Sequence, residues 1–165
     1  MDLKGSIDGL TGIILAGGAS QRMGEDKAFL RGGVARLADE LRKAGCSRVI
    51  VMCGAKERVG LFDEECVIDS HDDLASSIKT VLEGLDGEVQ LVPCDAVLAD
   101  FSFLASISGV PIDQNGERQH LMARVPLPLP NIDSKKISDL FDHLPSCEGG
   151  VKASNINTLD ELKEI

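Results

Sequence analysis

The chain has no tryptophan and no tyrosine, and only 5 phenylalanines among its 165 residues. Aromatic platforms on which bases could stack are therefore scarce, and any base recognition has to rely on backbone and aliphatic contacts. Positive charge is also in short supply. Lys and Arg number 17 against 27 Asp and Glu, a formal net charge of −10. A polyanion partner needs a basic footprint to displace counterions, so nucleic-acid binding is not expected. Long apolar runs are missing too. The unbroken ones, at residues 13–16 and 49–53, are far below a membrane span. The N-terminal MDLKGSIDGL lacks the continuous apolar core of a signal peptide. The 5 cysteines, at 46, 53, 66, 94 and 147, form no C-x-x-C, which excludes the common zinc spacings and a small secreted disulfide framework. Reduced thiols in a cytoplasmic protein are the expectation, with no membrane partner.

What is present is ordinary globular material. At 43% hydrophobic and 27% charged residues, the chain is one domain's worth with a normal core, residues 1–165 as a single unit. No repeat or low-complexity linker divides it. Short β-like runs alternate with helical periodicity. Residues 11–16 (TGIILA) read as a buried strand ending at two glycines. Val34, Leu37, Ala38 and Leu41 follow at helical spacing, with Gly45 as the closing residue. Residues 48–53 and 65–68 read as strands, and Leu74, Ile78, Val81, Leu82 and Leu85 as a one-faced helix. Residues 89–93 form a fourth strand with Asp95 just beyond it, and Asp100 caps a short helix. Further on, a strand is expected over 119–125, then the stiff PLPLP run at 126–130. A helix follows on Ile137, Leu140, Phe141 and Leu144, and a last one opens at the Thr158/Glu161 capping box.

Strand, helix, strand in this order implies parallel crossovers and a three-layer α/β/α structure with a mostly parallel, Rossmann-like sheet. Ligands in such sheets sit beyond the carboxyl ends of strands. That rule points to the loop after Ala16 and to the residues after Pro93.

The first of these loops runs Gly17-Gly18-Ala19-Ser20-Gln21-Arg22-Met23-Gly24-Glu25-Asp26-Lys27. Paired glycines let the chain turn sharply and leave amide N–H groups unshielded, able to hold an anion or a ring edge. Arg22 offers a fork for two phosphate oxygens and Lys27 a movable point charge, in an otherwise acidic chain. The spacing fits neither the G-x-G-x-x-G dinucleotide fingerprint nor the P-loop. The bland reading is a glycine turn carrying surface charge.

Leu15-Ala16-Gly17-Gly18-x-Ser20-x-Arg22-Met23-Gly24-x-Asp26-Lys27 resembles the N-terminal signature of the molybdenum cofactor guanylyltransferases. These are nucleotidyltransferases of the nucleotide-diphospho-sugar transferase fold. The resemblance implies GTP and molybdopterin as substrates, Mg²⁺ as cofactor, and an N-terminal nucleotide-binding half followed by an acceptor-binding half. It places Leu15, Ala16, Gly17 and Gly18 against base and sugar, and Arg22 and Lys27 on the triphosphate as the catalytic cations. Asp95, in Leu91-Val92-Pro93-Cys94-Asp95, is implied to hold the metal, a role open also to a turn or helix-cap aspartate. Asp69, after residues 65–68, resembles the family's second acidic position, a second metal and nucleotide group. Asn155 and Asn157 lie in a tail similar to the family's closing segment.

The sequence also departs from that pattern. Asp72-Asp73-Leu74-Ala75-Ser76 stands where the family has Gly-Pro-Leu-Ala-Gly, and Gly54 where an Asn is common. Other readings stay open: cytidylyl or guanylyl transfer to another small phosphorylated acceptor, or a nucleotide-binding homologue without catalysis. His71, His120 and His143 share no ligand spacing.

Overall fold

Six consecutive buried residues, Leu10–Leu15 (β1), form the central strand of the protein. The computed structural model describes residues 9–17 and 33–154. Along them, helix α1 (Gly33–Lys43) leads into β2 (Arg48–Gly54), β3 (Glu65–Ile68), α2 (Leu74–Glu83) and β4 (Glu88–Pro93). Then come α3 (Phe101–Ser106), β5 (Val110–Asp113), β6 (Arg124–Pro126), α4 (Ile137–Leu140) and β7 (Ser146–Gly150). The main sheet has the order β3-β2-β1-β4-β6. Its first four strands are parallel and β6 is antiparallel to β4. β5 and β7 make a separate parallel pair.

Alternation along the strands builds both faces of the sheet. Ile14, Val51 and Val92 pack with Val34, Leu37 and Leu41 of α1 and with Phe103 and Leu104 of α3. Ile13, Ile50 and Leu91 pack on the opposite face with Ile78 and Leu82 of α2 and Leu140 beyond them. This is the expected three-layer, mostly parallel α/β architecture. Leu37 is fully buried at the centre of the first face, where truncation to alanine costs about 2–5 kcal/mol.

Local chemistry sets the helix ends. The Gly45 N–H donates to Arg42 O (3.1 Å) and the Cys46 N–H to Leu41 O (3.0 Å), a Schellman closure of α1. Gly45 takes the φ of +113° that such a turn requires. Asp73 caps α2 and Asp100 caps α3, each accepting from the backbone N–H three residues on.

Two expected elements come out differently. The strand over 119–125 is divided: His120–Met122 forms a 3-10 turn and the strand begins only at Arg124. The Gln119 N–H donates to Pro111 O and the Arg124 N–H to Gly109 O, both at 2.8 Å. The chain is thus pinned to β5 at both points, and the intervening residues are taken up in a turn that buries Met122. The helix on Ile137, Leu140, Phe141 and Leu144 ends at Leu140. Phe141 and Leu144 remain buried, but Pro145 disfavours helical backbone at Leu144 and the chain must enter β7 at Ser146. The Thr158/Glu161 capping box lies outside the described residues.

Candidate functional site

The parallel strands place the carboxyl ends of β3, β2, β1 and β4 along one edge of the sheet. Near its middle, β1 ends in Leu15-Ala16-Gly17. Leu15 is core, 8% exposed, and its carbonyl accepts from the Cys94 N–H at 3.0 Å. The Ala16 N–H donates to Met52 O at 2.9 Å. These bonds hold the end of β1 between β2 and the turn after β4, so Gly17 emerges at a defined point. A Cβ on Gly17 would sit 3.0 Å from Asp69 Oδ2 and 3.1 Å from Gly54 Cα. A side chain here would press on the Asp69 carboxylate and the Gly54 backbone, which would have to give by a few tenths of an ångström.

The sequence-derived carboxylates flank this point. Asp69, just past β3, reaches back over the end of β2. Its N–H donates to Gly54 O at 2.9 Å. Its Oδ1 is buried and has no hydrogen-bond partner among the described residues. Burial raises the carboxyl pKa above its ordinary value, and the Gly54 N–H facing the carboxylate pulls the other way. An orphaned buried carboxylate oxygen costs stability unless something meets it. Asp95 lies on the other side of β1, 8% exposed, in the turn after β4. Arg36 of α1 secures that turn, donating to Ala99 O at 2.7 Å and Ala96 O at 3.1 Å.

Gly54 and Asp73 explain the two departures noted above. At φ +90° Gly54 ends β2 and faces both Gly17 and Asp69. Asp73 is bound up in capping α2, so its charge belongs to the helix end. His71 is also spoken for: its Nε2 lies 2.9 Å from Thr80 Oγ1, and its N–H donates to Ser77 Oγ at 3.0 Å. Gly18, Arg22 and Lys27 of the glycine loop, and Asn155 and Asn157 of the tail, lie outside the described residues.

Sequence reasoning missed Arg58. It sits in the 3-10 turn Lys56–Leu61, half-buried beneath this edge. Its guanidinium donates from Nε to Cys53 O (2.7 Å) and from an Nη to Ala16 O (2.8 Å), and lies 5.8 Å from the Phe62 ring centroid. In Lys56-Glu57-Arg58 nothing separates this side chain from ordinary surface charge. The signal is tertiary, because two strand ends must converge before the arginine has a role.

A divalent cation would fit the donors present. Among the described residues no group of three or more His, Cys, Asp or Glu side chains comes together. The described residues by themselves thus supply no dedicated protein cage. Mg²⁺ characteristically uses one or two carboxylates with substrate phosphates and water, and the unmet Asp69 Oδ1 with Asp95 nearby on the same edge is consistent with that chemistry. No helix among the described residues is long and apolar enough to cross a membrane.

Comparison with known proteins agrees with this geometry. Residues 12–113 match the family described as the MobA-like NTP transferase domain. Over 101 residues the chain is 33% identical to the molybdenum cofactor guanylyltransferase of Xanthomonas euvesicatoria pv. vesicatoria (strain 85-10), covering 59% of this chain and 52% of that protein. The match therefore spans about half the length of that relative. Among solved structures, Rv0371c from Mycobacterium tuberculosis H37Rv superposes with a TM-score of 0.68 at 20% identity, over 96% of this chain and 98% of that one. A nucleotidyl transferase from Methanothermobacter gives 0.63 at 19% identity, over 94% of each chain. The bifunctional IspDF of Campylobacter jejuni gives 0.64 at 16% identity, over 94% of this chain and 54% of that one. At such identities the structural likeness is one of fold.

Proposed function

The chain belongs to the MobA-like NTP transferase family, and from that premise we propose that it transfers GMP from GTP to molybdopterin and releases pyrophosphate. Nucleotidyl transfer is the activity the family carries; the nucleotide and the acceptor are the proposed part. The observation that supports the reading most is Asp69, whose carboxylate is held against Gly17 at the sheet edge with one buried oxygen that has no hydrogen-bond partner among the described residues.

In the proposed reaction a phosphate oxygen of the acceptor attacks the α-phosphorus in line. The bond from that phosphorus to the bridging oxygen of the β-phosphate breaks, and pyrophosphate leaves. A phosphate monoester is already largely ionised at neutral pH, with a second pKa of about 6, so no general base is needed. The protein's task is placement and charge neutralisation. Gly17 and Gly18 would present backbone to base and sugar, while Leu15 and Ala16, whose strand-end groups bond Cys94, Met52 and Arg58, would hold that segment in place. Arg22 and Lys27 meet the triphosphate and the departing pyrophosphate. Asp95 and Asp69 would hold Mg²⁺, which when bound neutralises phosphate charge and keeps the triphosphate in one conformation. The later part of the chain would receive the acceptor.

The test is pyrophosphate release measured with each of the four nucleoside triphosphates, with and without molybdopterin. Release with GTP only when molybdopterin is present is the expected result. Release with CTP instead would reassign the base. Magnesium-dependent GTP binding without release under any acceptor would make the chain a nucleotide-binding homologue and overturn the proposal.

A further inference from the structure

Arg58 bonds two strand ends at the described sheet edge, and the mechanism above does not use it. We propose that Arg58 is a positioning residue of the nucleotide site: by gathering the Ala16 and Cys53 carbonyls on one guanidinium, it turns the Gly17 amide toward the ligand and the Gly54 amide toward the Asp69 carboxylate.

Peptide geometry sets the direction of these amides. In a trans peptide the C=O and the following N–H point in opposite directions. Arg58 takes the carbonyl of the Ala16–Gly17 peptide at 2.8 Å and that of the Cys53–Gly54 peptide at 2.7 Å. The N–H groups of Gly17 and Gly54 therefore point away from the guanidinium. Gly54 N–H faces the Asp69 carboxylate, and Gly17 N–H has no partner among the described residues. Both glycines sit where a Cβ on Gly17 would crowd Gly54 and Asp69, so the two peptides and the carboxylate form one packed unit.

The chemistry of the side chain matters. Arginine presents several donors in a rigid planar fork, whereas lysine offers a single movable charge. A fork can set the spacing between two strand ends; a point charge cannot. Hydrogen bonds to a cation are also strong and polarise the peptides they touch, which makes the opposite N–H groups better donors to a negatively charged ligand. The Phe62 ring centroid lies 5.8 Å from the guanidinium. Arg58 reaches this position through the backbone of β1 and β2, so it acts on the nucleotide through Gly17, Gly54 and Asp69.

This inference rests on the nucleotide-binding reading, and the experiment separates the two. The full chain is prepared as wild type, Arg58→Met, Arg58→Lys and Leu82→Ala. The last is a core substitution at the far end of α2, serving as a stability control. GTP affinity with Mg²⁺, melting temperature, and kcat and KM for GTP are measured on each. Arg58→Met is expected to weaken GTP binding by roughly 10- to 100-fold and to raise KM more than it lowers kcat. Arg58→Lys should fall between it and wild type, and Leu82→Ala should melt lower with unchanged affinity. Unchanged affinity in Arg58→Met, while wild type binds, overturns the inference and leaves the functional reading standing. Affinity that falls in Leu82→Ala in step with melting temperature overturns it too, since the effect is then general loosening. If Arg58→Met does not fold, Arg58→Lys carries the comparison, and wild-type affinity in that variant overturns the inference. If wild type binds no nucleotide, the functional reading fails first and the inference with it.

Discussion

Asp73 accepts two hydrogen bonds from Ser76, one from the backbone N–H at 2.8 Å and one from the hydroxyl at 2.9 Å. Asp73 and Ser76 stand where the Gly-Pro-Leu-Ala-Gly pattern has its proline and its second glycine, and in sequence Asp72 and Asp73 read as added negative charge near the phosphates. In the fold Asp73 is a helix cap. The α2 N-terminus, with its partial positive charge and unbonded amides, is supplied with an anion by its own chain.

Replacing Asp73 with alanine should therefore lower the melting temperature at neutral pH. The bonds from Ser76, backbone and then hydroxyl, hold the Asp73 pKa below its ordinary value of 3.8. A depressed folded-state pKa contributes stability that is present above the unfolded value and lost as pH falls through the folded one. Wild type and Asp73→Ala should accordingly differ in thermal melts at pH 7 and converge well below pH 4. A difference that grows toward acid would show that the carboxylate is not the stabilising group.

Asp69 has the opposite sign. Burial raises its folded-state pKa, so ionising it works against the fold. The penalty is absent at acid pH, where the group is protonated in both states, and appears as pH rises through the raised folded value. Asp69→Asn should melt higher than wild type at pH 7. The same variant should bind nucleotide and magnesium more weakly, the usual exchange of stability against function at a site. A variant that melts lower than wild type at pH 7 would place Asp69 among the structural residues.

Lys27→Ala should lower turnover by roughly 10²- to 10³-fold, the scale on which single charge-stabilising donors act, with melting temperature unchanged. Steady-state pyrophosphate release and a thermal melt on the same preparation check both halves. Unchanged turnover removes Lys27 from the mechanism.

Gly12 lies where β1 meets α1, and a Cβ there would come 2.8 Å from Leu41 Cδ1 and 3.2 Å from Cys46 Sγ. Overpacking of this kind costs about 1–3 kcal/mol, so Gly12→Ala should shift the urea midpoint downward. Burial pushes the Cys46 thiol pKa up to about 11, so in wild type it should react slowly with alkylating reagents at pH 8. Faster labelling of Cys46 in Gly12→Ala would report the loosened contact between strand and helix; an unchanged midpoint would mean that Leu41 shifts aside at no cost.

Most of the sheet and its helices were legible because their signals are local. The run at Leu10–Leu15, the stripe from Val34 to Leu41 and the cap at Asp100 each depend on residues within a turn or two, whereas the cap at Asp73 was read as surface charge. The C-terminal half was less legible for a physical reason. β5, β6 and β7 are three to five residues long, and their pairings join segments distant in sequence, as in Val110 with Ser146. Nothing in SCEGG or VPID taken alone favours a strand. The site divided in the same way. Asp69 and Asp95 could be found because each follows an apolar strand, whereas Arg58 acts on two carbonyls separated by 37 residues of chain and carries no pattern of its own.

The central claim is that the edge at Gly17 and Asp69 holds a nucleoside triphosphate. Titration calorimetry of the full chain with GTP, CTP, ATP and UTP in the presence of Mg²⁺ tests it most directly. Saturable binding at one site, tightest for GTP and weakened in Asp69→Asn, is the expected result. Absence of heat from all four nucleotides at millimolar concentration would contradict it.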